Sequence, residues 1–228
     1  RDIEYTVYCP PATLPLEQLY WRVAFAGDNG QSDWSKTRMF KISPDAVNFP
    51  LPEFKELISR VPDKHPRLFL RPEHIPHLRE LAKGELKDRF ESLVSDCERI
   101  MADSPPTKEP EKYPEGIINN SDEWREIWWG NRTYTIEVLN SAATLAFTRL
   151  LGGKEEYGQK ARELLMAAAE WDPKGATGYR YNDEAGMPYN YYFSRTYTFV
   201  NDLLTEDERE KCRQVMKVRG DEMYNHLY

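Results

Sequence analysis

The sequence predicts a mainly α-helical protein in which antiparallel helix pairs form a layered α/α array, preceded by a short β-rich segment. The spacing of apolar residues carries this prediction, because it follows period two in residues 1–46 and the helical period in residues 65–228. Residues 44–66 contain five of the sixteen prolines, and proline fixes φ and removes a backbone donor. We therefore expect residues 47–64 to be an extended, proline-rich linker.

Residues 1–46 are expected to contain β-strands only. Three segments are rich in aromatic and β-branched residues, alternate at period two and are separated by turn-forming stretches: 3–9, 19–26 and 37–42. Three strands alone cannot bury the core of a β-sandwich. Further strands would therefore be needed to complete such a domain.

This β-rich segment resembles the last strands of a fibronectin type III-like domain. The resemblance is carried by four short runs: Leu19-Tyr20-Trp21-Arg22-Val23, Asp28-Asn29-Gly30, Ser32-Asp33-Trp34-Ser35 and Phe40. It implies that residues 1–46 are the C-terminal strands of a small β-sandwich, in which aromatic residues fill the core and a Trp-Ser turn leads into the final strand. It also implies that the first strands of the domain precede this sequence.

Helical periodicity predicts the elements that follow the linker. We expect a short helix at 72–82, a helix at 85–102, a loop at 103–116, and two helix pairs, 134–151 with 155–171 and 188–203 with 206–226. The connections Gly152-Gly153 and Leu204-Thr205 are short, which makes each pair antiparallel. Thr205 and Glu208 have the spacing of a capping box, so the last helix should begin directly after Thr205.

The helical part resembles the heparinase II/III-like polysaccharide lyases and their alginate-lyase relatives. Three segments carry the resemblance: His65-Pro66-Arg67-Leu68-Phe69-Leu70-Arg71-Pro72 followed by His74-Ile75-Pro76-His77-Leu78-Arg79, then Leu145 to Ala161, and Asn201 to Arg209. The resemblance implies that residues 65–228 are the N-terminal part of an α/α toroid. The expected fold class is thus an incomplete α/α toroid of antiparallel helix pairs, preceded by part of a small β-sandwich.

The resemblance also implies a reaction, the β-elimination of a uronic-acid-containing polysaccharide. In that family an Asn or His neutralises the sugar carboxylate, and a Tyr removes the C5 proton and protonates the leaving oxygen. These groups would follow Tyr228, so we assign no catalytic residue, metal or cofactor to this sequence. We expect the chain alone to show no lyase turnover, and we expect the remaining C-terminal part of the enzyme as a partner.

Aromatic and polar residues that precede or open the two predicted inner helices are candidates for one wall of a sugar cleft. The substrate-binding candidates are Asn131, Arg132, Tyr189, Asn190, Tyr192 and Arg195, and Trp128, Trp129, Asn182 and Tyr191 accompany them. Aromatic faces stack on sugars, Asn bonds hydroxyls, and Arg holds carboxylate or sulfate through two hydrogen bonds. Core packing of the aromatic residues and a solvated loop for Asn131 and Arg132 are the alternatives.

Two other functions remain open from the sequence. A glycoside hydrolase on a similar toroid would use two acidic residues, and Asp183-Glu184 is a pair of that kind, although a solvated loop explains it better. A non-catalytic carbohydrate-binding fragment is the other alternative. The four histidines form no metal motif and are interpreted as structural.

The composition of the chain excludes some classes of binding partner. The net charge of -7 argues against a dedicated nucleic-acid binder, and no apolar run is long enough to span a membrane. An acidic polysaccharide or oligosaccharide remains possible as the ligand, because a local cleft can be basic on an acidic protein. Cys97 and Cys212 fall on apolar helical stripes and are expected to be buried. By the resemblance we expect a secreted protein, or a periplasmic or cell-surface one.

Overall fold

The structure, a computed structural model, describes residues 7–8, 10, 12–28, 30–47 and 52–227. The chain divides into two compact units, Arg1–Val61 and Pro62–Tyr228. The first contains short antiparallel strands and the second is helical. The prediction of a mainly α protein with a small β part is therefore confirmed.

Four strands occur in the described residues of the first unit: β1 Gln18–Trp21, β2 Ala26–Gly27, β3 Gly30–Gln31 and β4 Arg38–Lys41. β1 pairs with β4 in antiparallel register, and β2 pairs with β3. The predicted strands 19–26 and 37–42 correspond to β1 with β2 and to β4. The predicted strand 3–9 lies outside the described residues except at positions 7 and 8, which are not in a strand.

The predicted linker contains a helix, which corrects the expectation of an extended segment. Helix α1 spans Phe54–Ser59 and is followed by Arg60, whose backbone N–H bonds to carbonyls of that helix. Proline destabilises a helix interior, but Pro52 and Pro62 flank α1 and do not interrupt it. The prediction rested on the prolines of the whole segment and missed that the stretch between Pro52 and Pro62 has none and can form a short helix.

Six α-helices lie in the described part of the second unit: α2 Ile75–Lys83, α3 Lys87–Ala102, α4 Asp122–Leu150, α5 Glu155–Ala168, α6 Asp183–Phe199 and α7 Glu206–Leu227. Short 3₁₀-helices precede α2 and α7, at Pro72–His74 and Asn201–Leu203. The predicted capping box is confirmed, since Thr205 N donates to Glu208 Oε2 at 2.8 Å and Glu208 N to Thr205 Oγ1 at 3.3 Å.

Two helices begin earlier than the sequence predicted. Helix α4 begins at Asp122 and not near residue 134, because Ser121 caps it by accepting a hydrogen bond from Trp124 N at 3.2 Å. Helix α6 begins at Asp183 and not at Pro188, because Asn182 Oδ1 accepts from Ala185 N at 3.1 Å. Pro188 therefore lies inside the helix. Both corrections move residues predicted to lie in loops onto helix surfaces.

Contacts between the last four helices, α4 to α7, define their relative directions. Arg132 of α4 pairs with Glu184 of α6, and further along both helices Phe147 of α4 packs on Phe199 of α6. These two helices are therefore parallel. Helix α5 runs antiparallel to α4, since Arg149 bonds Glu155 and Tyr134 lies near Trp171.

Helix α7 completes a second layer. Arg162 of α5 bonds Glu208 of α7 through two contacts of 3.1 and 2.6 Å, and one turn further along both helices Cys212 Sγ lies 3.9 Å from Met166 Sδ, so α5 and α7 are parallel. Helix α7 is antiparallel to α6, because Arg219 lies on the ring of Tyr189 while Arg209 bonds the carbonyl of Asn201. Helices α4 and α6 thus form one layer and α5 and α7 the other.

Burial agrees with this layering. Helix α4 buries ten residues, whereas α7 buries only Cys212 and Arg219. The core is made mainly by Val138, Leu139, Ala142, Leu145, Ala146, Tyr157, Ala161, Leu164, Leu165, Tyr189, Phe193 and Phe199. Cys97 and Cys212 are fully buried free thiols, as predicted, and Cys9 lies outside the described residues.

The turn between α4 and α5 depends on two glycines. Gly152 has a φ of 106°, a left-handed conformation that glycine adopts without steric cost. A Cβ at Gly153 would lie 2.8 Å from the Thr148 carbonyl oxygen. The short Gly152-Gly153 connection therefore returns the chain onto α4. Within the described part of the chain, none of the helices combines the length and apolar character that a bilayer span requires.

Candidate functional site

Five aromatic residues form a row beside the N-terminal ends of α4 and α6, which we call the aromatic array: Tyr113, Trp124, Trp128, Trp129 and Tyr181. Tyr181 stacks on Tyr113 with ring centroids 4.9 Å apart, and Tyr113 stacks on Trp124 at 5.3 Å. Trp124 then stacks on Trp128 at 5.3 Å, and Trp128 meets Trp129 edge-on at 4.8 Å. The faces of the inner rings are covered by their neighbours.

The array is assembled from three segments of the chain. Trp124 and Trp128 are four residues apart on α4, so their side chains lie on one helix face. The loop before α4 contributes Tyr113, whose backbone N–H donates to Tyr181 Oη at 2.7 Å. The third segment contains Tyr181 and is joined to α4 by Asn182, whose Nδ2 donates to the Trp128 carbonyl at 3.1 Å. The site is therefore held by hydrogen bonds as well as by stacking.

Trp129 is the open end of the array, with 49 % of its surface exposed. The guanidinium of Arg132 lies 5.8 Å from the centroid of the Trp129 ring. Arg132 Nε also pairs with Glu184 Oε2 at 3.0 Å, which links α4 to α6. An exposed indole thus stands next to donors and acceptors that are fixed by an ion pair.

Tyr113 is a neutral group at physiological pH. Burial raises the pKa of Tyr113 to about 12, and the neighbouring Tyr181 and Asp183 act in the same direction. Its hydroxyl is buried and makes no hydrogen bond within the described residues. Tyr113 can therefore donate a hydrogen bond but is poorly suited to act alone as a general base.

Two of the predicted substrate-binding residues are internal. Asn131 is 6 % exposed, and its Nδ2 donates to the Glu111 carbonyl at 3.2 Å, tying the preceding loop to α4. Tyr189 is fully buried, and its hydroxyl donates to the Ala168 carbonyl at 2.7 Å. Burial raises the pKa of Tyr189, so this ring stays neutral. The structure gives both residues a structural role and no access to a ligand.

The remaining predicted residues divide between two places. Arg132 lies at the aromatic array, near the start of α6. Asn190 and Tyr192 are half-buried on α6, and Tyr192 packs against the core. Arg195 lies on α6 eleven residues beyond Glu184, about 16 Å along the helix axis. The six predicted residues therefore do not form one surface, and the interpretation of Arg132 and Arg195 as ligand contacts stays a prediction.

Arg195 belongs to a second group, which we call the Arg195 cluster: Phe69, Tyr191, Arg195 and Phe199. Its guanidinium carbon lies 5.1 Å from the ring centroid of Phe69, 5.8 Å from that of Phe199 and 5.9 Å from that of Tyr191. Phe69 and Tyr191 meet edge-on at 5.5 Å. The cluster joins the segment before α2 to the C-terminal half of α6.

The histidines and carboxylates do not assemble into a metal centre within the described ranges. His65 Nδ1 lies 2.8 Å from Thr198 Oγ1, and His74 Nδ1 accepts from Arg71 N at 3.2 Å. Burial, with Arg67 and Arg209, lowers the pKa of His65 to about 4. His65 is therefore neutral at physiological pH.

Sequence reasoning missed Tyr113, Trp124, Tyr181 and Phe69. The Trp124–Trp128 spacing of four residues was a usable signal for a shared helix face, once α4 is known to begin at Asp122. Tyr113 and Tyr181 lie in loops far apart in sequence, and no periodicity connects them. Comparison of the sequence with models of protein families gives no match, and comparison with curated proteins gives none either.

Proposed function

We propose that the aromatic array binds carbohydrate and that the chain forms part of a polysaccharide lyase that acts on a uronic-acid-containing polysaccharide. The single observation that carries the binding proposal is the open end of the array, where exposed Trp129 adjoins the Arg132–Glu184 ion pair. The C–H face of a pyranose packs on an indole ring, while charged side chains beside the ring bond its hydroxyls.

The stacking of the inner rings supports this proposal by fixing Trp129 in advance. Trp128 is held by Trp124 on one side and by the hydrogen bond from Asn182 to its carbonyl. Trp129 in turn packs edge-on against Trp128. A platform that is already ordered loses little side-chain entropy when a ligand binds, and this favours affinity for a weakly interacting ligand such as a sugar.

The helical layers support placing the chain in an α/α toroid. In such a fold successive inner helices run in the same direction, as α4 and α6 do, and each is followed by an antiparallel outer helix, as α5 and α7 are. We propose that β1–β4 belong to a fibronectin type III-like sandwich, and that the protein is secreted, periplasmic or at the cell surface, where polysaccharide substrates occur.

Equilibrium binding of oligosaccharides tests the site. Calorimetric titration with uronate oligosaccharides prepared from heparin, chondroitin and alginate should give saturable binding to at least one of them. Trp129→Ala should weaken that binding about tenfold, which corresponds to about 1.4 kcal/mol. Trp34→Ala is the matched control, because Trp34 is 52 % exposed in the other unit and packs on Arg22.

Equal losses in the two variants, or unchanged affinity in Trp129→Ala, would remove the array as the sugar site. The chemistry has its own assay in the intact enzyme. A lyase produces an unsaturated uronate that absorbs ultraviolet light, whereas a glycoside hydrolase produces new reducing ends without that absorbance. A non-catalytic carbohydrate-binding protein produces neither.

A further inference from the structure

Arg195 is a cation that carries no ion pair within the described part of the chain. Its guanidinium is held instead by three aromatic rings, at 5.1 to 5.9 Å from their centroids. Cation–π contacts fix the position of a guanidinium without using its N–H donors. Its Nε is buried and also lacks a hydrogen-bond partner among these residues. The guanidinium N–H groups of Arg195 are therefore fixed in position but make no hydrogen bond within the described residues.

Two of the three rings are open to solvent. Phe69 is 60 % exposed and Tyr191 is 46 % exposed. Phe69 also has a φ of 67°, in the left-handed region that bulky side chains rarely adopt. Such a conformation persists only where the surrounding structure imposes it, and it is often found at functional positions.

The segment around Phe69 is anchored on both sides. Before it, Arg67 N donates to Thr198 Oγ1 at 2.9 Å, and His65 Nδ1 lies 2.8 Å from the same hydroxyl. After it, Leu70 is buried in the core. These contacts hold the chain while the ring of Phe69 projects from it, so its exposure is a property of the anchored segment.

The surroundings of the cluster are electropositive. Arg67 is exposed two residues before Phe69, and Arg67 and Arg209 both contribute to the lowered pKa of His65. His65 itself is neutral at pH 7 and adds no charge. Arg209 pairs with Glu206 at 3.0 Å, which leaves Arg67 and Arg195 as cations that carry no ion pair within the described residues. Such cations on a chain with a net charge of -7 favour an anionic ligand at this surface.

We propose that the Arg195 cluster is a second binding site, separate from the aromatic array, which holds the carboxylate or sulfate of an acidic sugar. Arg195 donates to the oxyanion, and the exposed faces of Phe69 and Tyr191 pack on the sugar ring that carries it. This site deepens the proposed function and rests on it, since it assigns recognition of the acidic group of the glycan to Arg195. Guanidinium is suited to both oxyanions because its two parallel donors match their oxygen spacing.

Three ligand series distinguish the possibilities: a neutral oligosaccharide, an unsulfated uronate oligosaccharide and a sulfated one, each titrated into the chain by calorimetry. Arg195→Gln should lower affinity for the acidic ligand about tenfold and leave affinity for the neutral ligand unchanged. The dependence of affinity on salt should also become weaker. Whether the loss is larger for the uronate or for the sulfated series identifies the oxyanion.

Arg180→Gln is the matched control, because Arg180 is an exposed arginine on the loop before α6. Phe69→Ala removes an exposed ring and should lower the affinity for the acidic ligand with little effect on folding. This variant keeps the proposal testable if Arg195→Gln is unstable. Equal affinities in wild type, Arg195→Gln and Phe69→Ala would overturn it. Selective loss in Trp129→Ala alone would retain the proposed function and reject this second site.

Discussion

At the scale of single residues, Arg219 and Glu109 organise the loop between α5 and α6. Arg219 is 2 % exposed, and its Nη atoms donate to the carbonyls of Thr177 at 2.8 Å and Trp171 at 3.2 Å. Glu109 accepts from Asp172 N at 3.0 Å and from Thr177 N at 3.2 Å. Burial lowers the pKa of Arg219, and its carbonyl partners compensate the charge. This loop leads into Tyr181 and Asn182 of the candidate site.

Arg219→Met should therefore destabilise the chain by about 2–4 kcal/mol, because it leaves buried carbonyls without donors. Urea unfolding followed by circular dichroism measures the change. Arg180→Met, at an exposed position, should alter stability by less than about 0.5 kcal/mol. Similar values for the two variants would show that Arg219 does not hold the loop.

His65 gives a pH-dependent prediction. Its pKa is lowered from 6.5 to about 4 on folding, so between these values the unfolded chain binds more protons than the folded chain. Its contribution to stability is thus present above pH 6.5 and is lost as the pH falls toward 4. The loss should reach about 1–2 kcal/mol, since solvent screens a partly exposed ring.

The measurement is the difference in unfolding free energy between wild type and His65→Gln at pH 7 and at pH 4.5, which cancels the carboxylates common to both proteins. Wild type should lose more stability than the variant on acidification. His77→Gln, at an exposed histidine, should follow wild type. Parallel curves for wild type and His65→Gln would contradict the lowered pKa of this ring in the folded chain.

At the scale of elements, local patterns predicted helices well and their starts poorly. The capping box at Thr205 is a short-range motif, so it located α7 correctly. The sequence predicted a helix start at 188, but Asn182 supplies a cap six residues earlier and the helix accommodates Pro188. The start of α4 was missed because Asn131 and Arg132 were interpreted as residues that precede the helix, whereas stacked tryptophans and a buried Asn131 stabilise helix there.

Asn182 connects two elements, since it caps α6 and also donates to the Trp128 carbonyl of α4. Asn182→Ala should cost about 2 kcal/mol through loss of both bonds, and Asn182→Ser should cost about half as much because serine retains the cap. Chemical denaturation measures both values. Equal costs for alanine and serine would mean that the cap adds nothing at this site.

At the scale of the whole molecule, the sequence predicted the mainly helical class and the helix pairs but not the aromatic array. Helical periodicity is local, so the α4–α5 and α6–α7 pairs could be predicted together with their antiparallel directions. The aromatic array joins Tyr113, Trp124 and Tyr181 from segments far apart in sequence, and no local pattern records such contacts. Tyr189 is the opposite case. It was predicted to contact a ligand, but its ring is packed beneath Arg219.

The central claim is that sugar binds at the open end of the aromatic array, and the six tryptophans of the chain provide its most direct test. Each indole N–H gives a separate nuclear magnetic resonance signal. Trp171 is 4 % exposed with its Nε1 bonded to the Thr107 carbonyl at 2.9 Å, and Trp21 and Trp34 lie in the other unit. These three serve as internal controls.

Titration with a uronate oligosaccharide should shift the indole signals of Trp128 and Trp129 in a saturable manner and leave those of Trp21, Trp34 and Trp171 in place. Trp129→Ala should abolish the shift of Trp128 at the same ligand concentration. Signals that move only at Trp21 and Trp34, or that do not move at any of the six positions, would contradict the assignment of the array as the carbohydrate site.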